Sequence, residues 1–415
     1  MNTLQKMFES VLLERGKKAM IDRAIQLIER KVKRAGASLT KSQKIRLRNL
    51  LLSEQFSSTT LRFRGNPASV SRSITFTRKD SEELERYYKS YLKNLEGIVE
   101  KVSESQARLL LSTLKRNWPN QRAQDLRRIK GFERRLVTTW KVPLDLLEMH
   151  IHIALEFGGR INDEHRKVGK LKRPTLIEVL TRLHARSCQV ASEILVLLKS
   201  GFADGAMARW RTLHEIAVTA LFIGTHGEDA AKRYLRYDFI ESHKGASQYQ
   251  RHCKSLGYEP FTSEEMKLMG ESRSKAICEF GESFDERYGW AAAALKIPKP
   301  NFSQIEDNVG LDHLRPYYKM ASQNVHADPK GVLYRLGLTG QEFLLAGPSN
   351  IGLVDPAHSP AISLLQVTSC LLLLDPILDN IVMARIMMTL SDEIGAAFFE
   401  VHKKIKAREK QLGSK

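Results

Sequence analysis

The stretch that decides the fold is Asp204-Gly-Ala-Met-Ala-Arg-Trp-Arg-Thr-Leu-His-Glu-Ile-Ala-Val-Thr-Ala-Leu-Phe-Ile-Gly224, which is apolar on nearly every face of a helix. Asp204 is expected to cap the start of this helix and Gly224 to end it. Charge in the middle of such a helix costs free energy unless it is paired or used. The cluster that we predict to be functional consists of Arg209, Arg211, His214 and Glu215.

Helical periodicity continues through most of the chain on both sides of this stretch. It recurs from Leu4 to Val32, in a second helix capped by Thr40, and almost everywhere beyond Asp80. The exception is a small hairpin or a long ordered loop near residues 331–352. We therefore predict an all-α protein with a basic helical extension and linker over residues 1–79 and a main helical domain over residues 80–415.

The positive charge of the chain is concentrated in its first third. The chain has 415 residues and a formal net charge of +19, with 32 Lys and Arg against 16 Asp and Glu in residues 1–150. Residues 151–415 hold 34 against 31. This asymmetry favours contact between the first third and a nucleic acid, most simply RNA. The alternative is a solvated face that keeps the protein soluble.

The densest group of cations lies near two tryptophans. We expect one helix to end at Trp118-Pro119 and the next to run to Trp140, with both indoles in the core. Stacking of these indoles on nucleobases is the alternative. The side chains predicted to bind nucleic acid are Arg116, Arg122, Arg127, Arg128, Lys130, Arg134 and Arg135.

The spacing of the Arg/His cluster leaves two interpretations open. Arg211 and Glu215 are four residues apart, so they form either an intrahelical ion pair or part of an anion site. Arg209 and His214 lie about 140° apart around a helix, so they would meet at one site only across two copies. His326 ends a short helix, where the dipole favours a protonated imidazole. It is expected either to act as a general acid or to cap the last carbonyls.

Several classes of site are not indicated by the sequence. No phosphate-binding loop, dinucleotide fingerprint, zinc-protease motif or hydrolase elbow is present. The four cysteines lie far apart without metal-ligand spacing. The apolar stretch from Ala361 to Leu390 is broken by Asp375-Pro376 and Asp379-Asn380, which indicates a pair of core helices. We expect no metal, no cofactor, no membrane partner and a cytoplasmic location.

Two resemblances follow from these residues. Arg209-x-x-x-x-His214 resembles the Arg-x(4–6)-His pattern of HEPN ribonucleases, which implies metal-independent RNA cleavage across a dimer, although Trp210 stands where those enzymes usually carry a polar residue. Residues 80–390 resemble a bacterial family of unknown function, which implies a helical fold and no established chemistry. Its landmarks are Phe132-Glu-x-Arg, Arg209-Trp-Arg-Thr-Leu-His-Glu215, Ser322-Gln-Asn-Val-His326 and Leu345-Ala-Gly-Pro-Ser-Asn-Ile-Gly352.

The sequence thus predicts a metal-independent endoribonuclease of a bacterial toxin or antiphage system. Arg209 and Arg211 would bind the phosphate, His214 or His326 would move the proton, and Glu215 would orient one of them. The alternative is a non-catalytic adaptor or sensor that binds nucleic acid or protein, with the cluster as a structural network. A homodimer and a regulatory protein partner are compatible with either hypothesis.

Overall fold

The computed structural model describes residues 2–53, 75–167, 173–326, 328–338 and 344–413, and this part of the chain is helical without strands, which confirms the all-α prediction. Short 3-10 turns lie at Glu282–Asp285, Gly289–Ala291 and Asp312–Leu314. The α-helices are α1 Asn2–Arg34, α2 Lys41–Leu52, α3 Arg78–Lys93, α4 Leu95–Thr139, α5 Lys141–Lys167, α6 Pro174–Lys199, α7 Ala203–Arg236, α8 Asp238–His252, α9 Ser263–Phe280, α10 Ala292–Leu295, α11 Phe302–Asn308, α12 Arg315–Val325, α13 Pro329–Leu333, α14 Val354–Leu372 and α15 Leu378–Gly413.

The chain divides into two compact units, Met1–Gln124 and Asp125–Lys415. In the first unit α1 packs against α2 and α3, and Glu83 of α3 accepts hydrogen bonds from two arginines of α1. Helix α2 begins with the predicted cap, because the hydroxyl of Thr40 accepts from the backbone of Gln43. Most of the expected linker falls in residues 54–74, which lie outside the described residues. The boundary at residue 79 stays a prediction.

Helix α4 does not end at Trp118-Pro119, so that prediction was wrong. The helix runs unbroken from Leu95 to Thr139 with Pro119 inside it. A proline removes one backbone hydrogen bond, but strong helix formers, mainly leucine, lysine, arginine and glutamine, surround it on both sides. Trp118 is also not a core residue, because 57% of it is exposed, whereas Trp140 is fully buried as expected.

The core of the second unit is built around α7, as the apolar stretch predicts. Helix α7 packs against α6 and α14, and α14 packs in turn against α5 and α15. The indole of Trp210 is fully buried and donates to the hydroxyl of Ser363 over 3.0 Å. The indole of Trp140 packs against Phe398. These contacts make the five helices one hydrophobic core.

The ends of α7 differ from the prediction. Asp204 lies in the first turn rather than at the cap, and its carboxylate accepts from the backbone of Leu336 over 3.1 Å. The helix continues past Gly224 to Arg236, with a break at Gly227, where φ is +74°. Gly224 does not end the helix because continued packing, here against Cys370, overrides the weak helix propensity of a glycine.

The region predicted as a hairpin or an ordered loop contains no strand in its described residues. Its first arm begins as helix α13, Pro329–Leu333, and residues 334–338 and 344–353 are non-helical. The expected turn, residues 339–343, lies outside the described part of the chain. Of the two alternatives predicted here, the described residues agree with an ordered loop and not with a hairpin. Pro329 is well placed in the first turn of a helix, and this helix extends to Leu333 where the first strand was expected.

Crossing a bilayer takes a long apolar helix, and none of the helices in the described ranges qualifies. The most apolar stretch is divided between α14 and α15. Asn380 supports the turn between these helices, because its side-chain amide donates to the carbonyls of Leu372 and Asp375.

Candidate functional site

The four ionisable residues in the middle of α7 face three different neighbours. Arg209 points towards α6, where its guanidinium forms an ion pair with Glu193. Its Nη1 also lies 3.3 Å from the hydroxyl of Thr212. Glu193 in addition lies 4.0 Å from the guanidinium of Arg186. The positive charge of Arg209 is therefore neutralised at the α6–α7 contact, away from the rest of the cluster.

Arg211 and Glu215 face α12 and form the predicted intrahelical pair. Nη2 of Arg211 lies 3.0 Å from Oε1 of Glu215. The same guanidinium donates through Nε to Ser322 over 3.0 Å and covers the ring of Tyr318 at 4.8 Å from its centroid. The hydroxyl of Tyr318 donates to Glu215 over 2.6 Å. Burial and the nearby Glu215 carboxylate raise the pKa of Tyr318, so it stays a donor at neutral pH. We call these four residues the α7–α12 group.

His214 is fully buried and bonds to a carboxylate that the sequence did not reveal. Its Nε2 lies 2.8 Å from Oε1 of Glu306, which is only 1% exposed. The other oxygen of Glu306 accepts from Nε of Arg315 over 2.7 Å. An ionised carboxylate can only accept, so Nε2 of His214 carries the proton. Nδ1 is buried without a partner in the described chain.

The electrostatics of this buried chain favour a neutral imidazole. Burial lowers the pKa of His214, and the hydrogen bond and charge of Glu306 oppose that shift only in part. Arg315 already balances the charge of Glu306, and its own pKa is raised by Glu306 and Asp307. His214 thus links α7 to α11 as a neutral hydrogen-bond donor with no access to solvent.

His326 stands apart from these contacts. It follows the last residue of α12 and is exposed, and its side chain makes no hydrogen bond or ion pair with any described residue. It lies one helical turn beyond Ser322, so both residues occupy the same face of α12. The structure therefore brings Arg211, Glu215 and Ser322 together and leaves His326 near one end of that face, while Arg209 and His214 contact other elements.

The contacts that sequence reasoning missed come from outside α7. Glu306 lies on α11, which begins with a capping box of Asn301 and Gln304. Tyr318 and Ser322 precede His326 at intervals of four residues, and this spacing is a signal that could have placed all three on one face. Nothing local pairs Glu306 with His214, because 92 residues separate them in the chain.

The cations predicted on α4 are all exposed. Arg116 and Arg122 belong to the first unit, and the other five lie in the second unit. Asp125 pairs with Arg128 over 2.9 Å. No ion pair forms, within the described ranges, at four of the five in the second unit: Arg127, Lys130, Arg134 and Arg135.

Two stripes of cations run along this part of α4. Spacings of three and four residues place Arg127, Lys130 and Arg134 on one stripe, and a spacing of seven places Arg128 and Arg135 on the adjoining one. The one acidic residue among residues 126–139 is Glu133, which accepts from Ser200 over 2.9 Å. We call the five cations and the glycine between them, Gly131, the α4 cationic face.

An apolar stripe lies in the first-unit part of α4. Leu111, Leu114 and Trp118 follow each other at helical spacing, and each is more than half exposed. The expected burial of Trp118 fails because, in the described chain, nothing covers this stripe deeply enough. Trp118 is therefore exposed in the part of the chain that the structure describes.

Two of the landmark segments, at Phe132 and at residues 345–352, meet at the turn between α6 and α7. The backbone of Ser349 donates to the carbonyl of Gly201 over 2.9 Å. Gly201 has φ of +79°, and a Cβ there would lie 2.7 Å from Ser349 O and 2.9 Å from Phe132. Asn350 accepts from the indole of Trp140 over 3.1 Å. These segments therefore hold the core together, which is a structural reason for their sequence pattern.

The described residues contain no group of three or more His, Cys, Asp or Glu side chains arranged to hold a metal ion. Cys188 lies beside His184 in the core, and burial raises the pKa of this thiol to about 12, so it is not a reactive thiolate.

Comparison with known proteins adds one family and no chemistry. No curated protein and no solved structure matches this chain, and no similarity to HEPN ribonucleases is found. Residues 177–343 match the model of a family described as "Family of unknown function (DUF5677)". The match includes α7, α11 and α12 with the His214–Glu306 contact, whereas Phe132 and Asn350 lie outside it. The central part of the second unit is thus similar to a domain family of unknown function.

Proposed function

We propose that this protein binds RNA through the α4 cationic face and works as a non-catalytic adaptor or sensor in the cytoplasm. The observation that carries the proposal is the set of four exposed cations without ion pairs on two turns of one helix. Exposed cations at this density repel one another unless an anion lies between them. A sugar-phosphate backbone supplies such anions at regular intervals.

The surroundings of the face support a ligand rather than simple solvation. Glu133 forms no ion pair with these cations in the described chain, and its carboxylate accepts a hydrogen bond from Ser200. Elsewhere in the second unit many exposed cations have carboxylate partners, as Arg182 does in Glu178. The α4 cationic face is therefore a local group of cations, four of which have no carboxylate partner in the described chain.

The salt dependence of RNA binding tests the proposal. Binding of a fluorescein-labelled 20-nucleotide oligouridine would be measured by anisotropy between 50 and 200 mM KCl. Each lost phosphate contact on a single strand lowers the slope of log K against log salt by roughly 0.7. The triple variant Arg127→Ala, Lys130→Ala, Arg134→Ala should therefore lose about two units of slope and at least tenfold in affinity.

A second triple variant is the matched control for this experiment. Lys254→Ala, Lys267→Ala and Lys275→Ala removes three exposed charges from α9 and from the connection that precedes it, where Lys267 lies 4.0 Å from Glu271. It should keep the wild-type slope and affinity. If both triple variants lose the same slope, the attraction comes from net charge, and the α4 cationic face has no special role. If the wild type does not bind the RNA, the proposal is wrong.

RNA cleavage at the α7–α12 group is the second candidate, in a toxin or antiphage setting. The observation that favours it is that Arg211 is 25% exposed and hydrogen-bonded to Ser322, one turn before the exposed His326. Arg211 would bind the scissile phosphate and His326 would move the proton. His214 is too deeply buried to contact RNA, and a role for Arg209 would require a second copy of the chain.

Incubation of the purified protein with total RNA separates the two candidates. Cleavage that persists in EDTA and is lost in His326→Ala and in Arg211→Ala, at an unchanged melting temperature, would establish the second candidate. Arg186→Ala, which lies near Glu193 and outside the α7–α12 group, is the control. If the wild type binds RNA and leaves it intact, the result favours the non-catalytic adaptor over the ribonuclease.

An adaptor also needs a surface for a protein partner. We assign this role to the apolar stripe of Leu111, Leu114 and Trp118, because large exposed apolar side chains at helical spacing favour a helical partner. That partner is either a second copy of this chain or a regulatory protein. Trp118→Glu should abolish self-association of the chain, or its co-sedimentation with the regulatory protein, without loss of helicity. Ser112→Glu, on the opposite side of the helix, should leave this association unchanged.

A further inference from the structure

The α4 cationic face surrounds a glycine in the interior of a long helix. Gly131 lies three or four residues from each of four arginines. Those arginines are Arg127, Arg128, Arg134 and Arg135. Glycine in a helix interior costs roughly 0.5–1 kcal/mol relative to alanine. The helix is therefore left without a side chain at the centre of its most positive patch.

The position of Arg135 shows what a side chain at residue 131 would do. A Cβ built on Gly131 would lie 3.5 Å from Nη1 of Arg135 and near no other atom outside its own helix turn. The guanidinium thus lies across the backbone that the glycine leaves uncovered. A longer side chain would push this guanidinium outwards and occupy the space between the two stripes of cations.

From this arrangement we propose that Gly131 forms the floor of a notch that takes one phosphate group of a nucleic-acid backbone. The inference rests on the proposed RNA binding and adds the specific point of contact. Guanidinium groups bind phosphate through paired N–H donors. Arg127, Arg134 and Arg135 form no ion pair in the described chain and lie within three or four residues of Gly131, so they are the arginines that we expect to bind the anion. The missing side chain would let a phosphate lie against the helix backbone beside Nη1 of Arg135, which already occupies part of this space.

A change in volume without a change in charge tests the notch. Gly131→Leu keeps all five cations and strengthens the helix, so a purely electrostatic surface would bind RNA as the wild type does. If the notch binds a phosphate, Gly131→Leu should lose at least tenfold in affinity for the oligouridine 20-mer at 100 mM KCl. Gly131→Ala should lose less. Gly97→Leu, at a glycine of α4 with no atom within 4 Å of its Cβ position, is the matched control.

The possible outcomes distinguish the proposed phosphate notch from the proposed RNA binding on which it rests. If the wild type does not bind the RNA, both proposals are wrong. If the wild type and Gly131→Leu bind RNA with equal affinity, the notch proposal is wrong and the RNA-binding proposal still holds. Equal losses in Gly131→Leu and Gly97→Leu would also contradict the notch proposal, since only Gly131 lies among the arginines. Helical circular dichroism of each variant verifies that the fold is kept.

Discussion

Two regions of this chain are rich in arginine, and their surroundings are opposite. On α7, Arg209 pairs with Glu193 and Arg211 with Glu215, while the buried His214 bonds to Glu306. On the α4 cationic face, four cations have no carboxylate partner in the described chain. The charges on α7 are neutralised within the fold, whereas most of those on the α4 cationic face are exposed without a carboxylate partner in the described chain. The arginines predicted to be catalytic, Arg209 and Arg211, are therefore more engaged in structural contacts than those predicted to bind nucleic acid.

The pair of tryptophans on either side of the α4 cationic face gives the largest expected contrast. Trp140→Ala should lower the free energy of unfolding by about 4 kcal/mol, because it empties a buried site and leaves Asn350 without its donor. Trp118→Ala should change it by less than about 0.5 kcal/mol, since its side chain is exposed. Urea unfolding followed by circular dichroism measures both. Equal losses would mean that Trp118 is covered in solution.

The next largest loss of unfolding free energy is expected on removal of the buried carboxylate of Glu306, which lies between α7 and α12. Glu306→Ala should cost about 3 kcal/mol of unfolding free energy, because it leaves Arg315 and His214 without their shared partner in a buried place. Asp307→Ala removes a half-exposed partner of the same arginine and should cost less than about 1 kcal/mol. A cost below 1 kcal/mol for Glu306→Ala would show that the buried polar chain is not structural.

The buried histidines make the core sensitive to acid. Burial lowers the pKa of His184 to about 4, so its protonation is suppressed in the folded state and normal in the unfolded state. Its contribution to stability is complete above pH 6.5 and is lost as pH falls towards 4. At about 1.4 kcal/mol per pKa unit, His184→Gln should flatten the pH profile of unfolding free energy by at least about 2 kcal/mol. An unchanged profile would mean that His184 is solvated.

The smallest effect on stability is expected at the α4 cationic face, where we propose that RNA binds. Arg127→Ala and Arg134→Ala should each change the free energy of unfolding by less than about 0.5 kcal/mol, because neither side chain makes an ion pair in the described chain and alanine favours a helix. Thermal melts of the two variants beside the wild type measure this. A loss of more than 1 kcal/mol would show that these arginines stabilise the fold, which would remove the contrast with α7.

The sequence by itself determined that the chain is helical, that α7 is buried and that positive charge is concentrated in residues 1–150. These properties follow from local periodicity and composition, which act over a few turns. Only the tertiary structure decided the partner of each charge. Glu306 reaches His214 across 92 residues, and Trp118 is exposed while Trp140 is buried although both occupy similar local sequence. Pairing and burial depend on which distant helices pack together, and no local pattern carries that information.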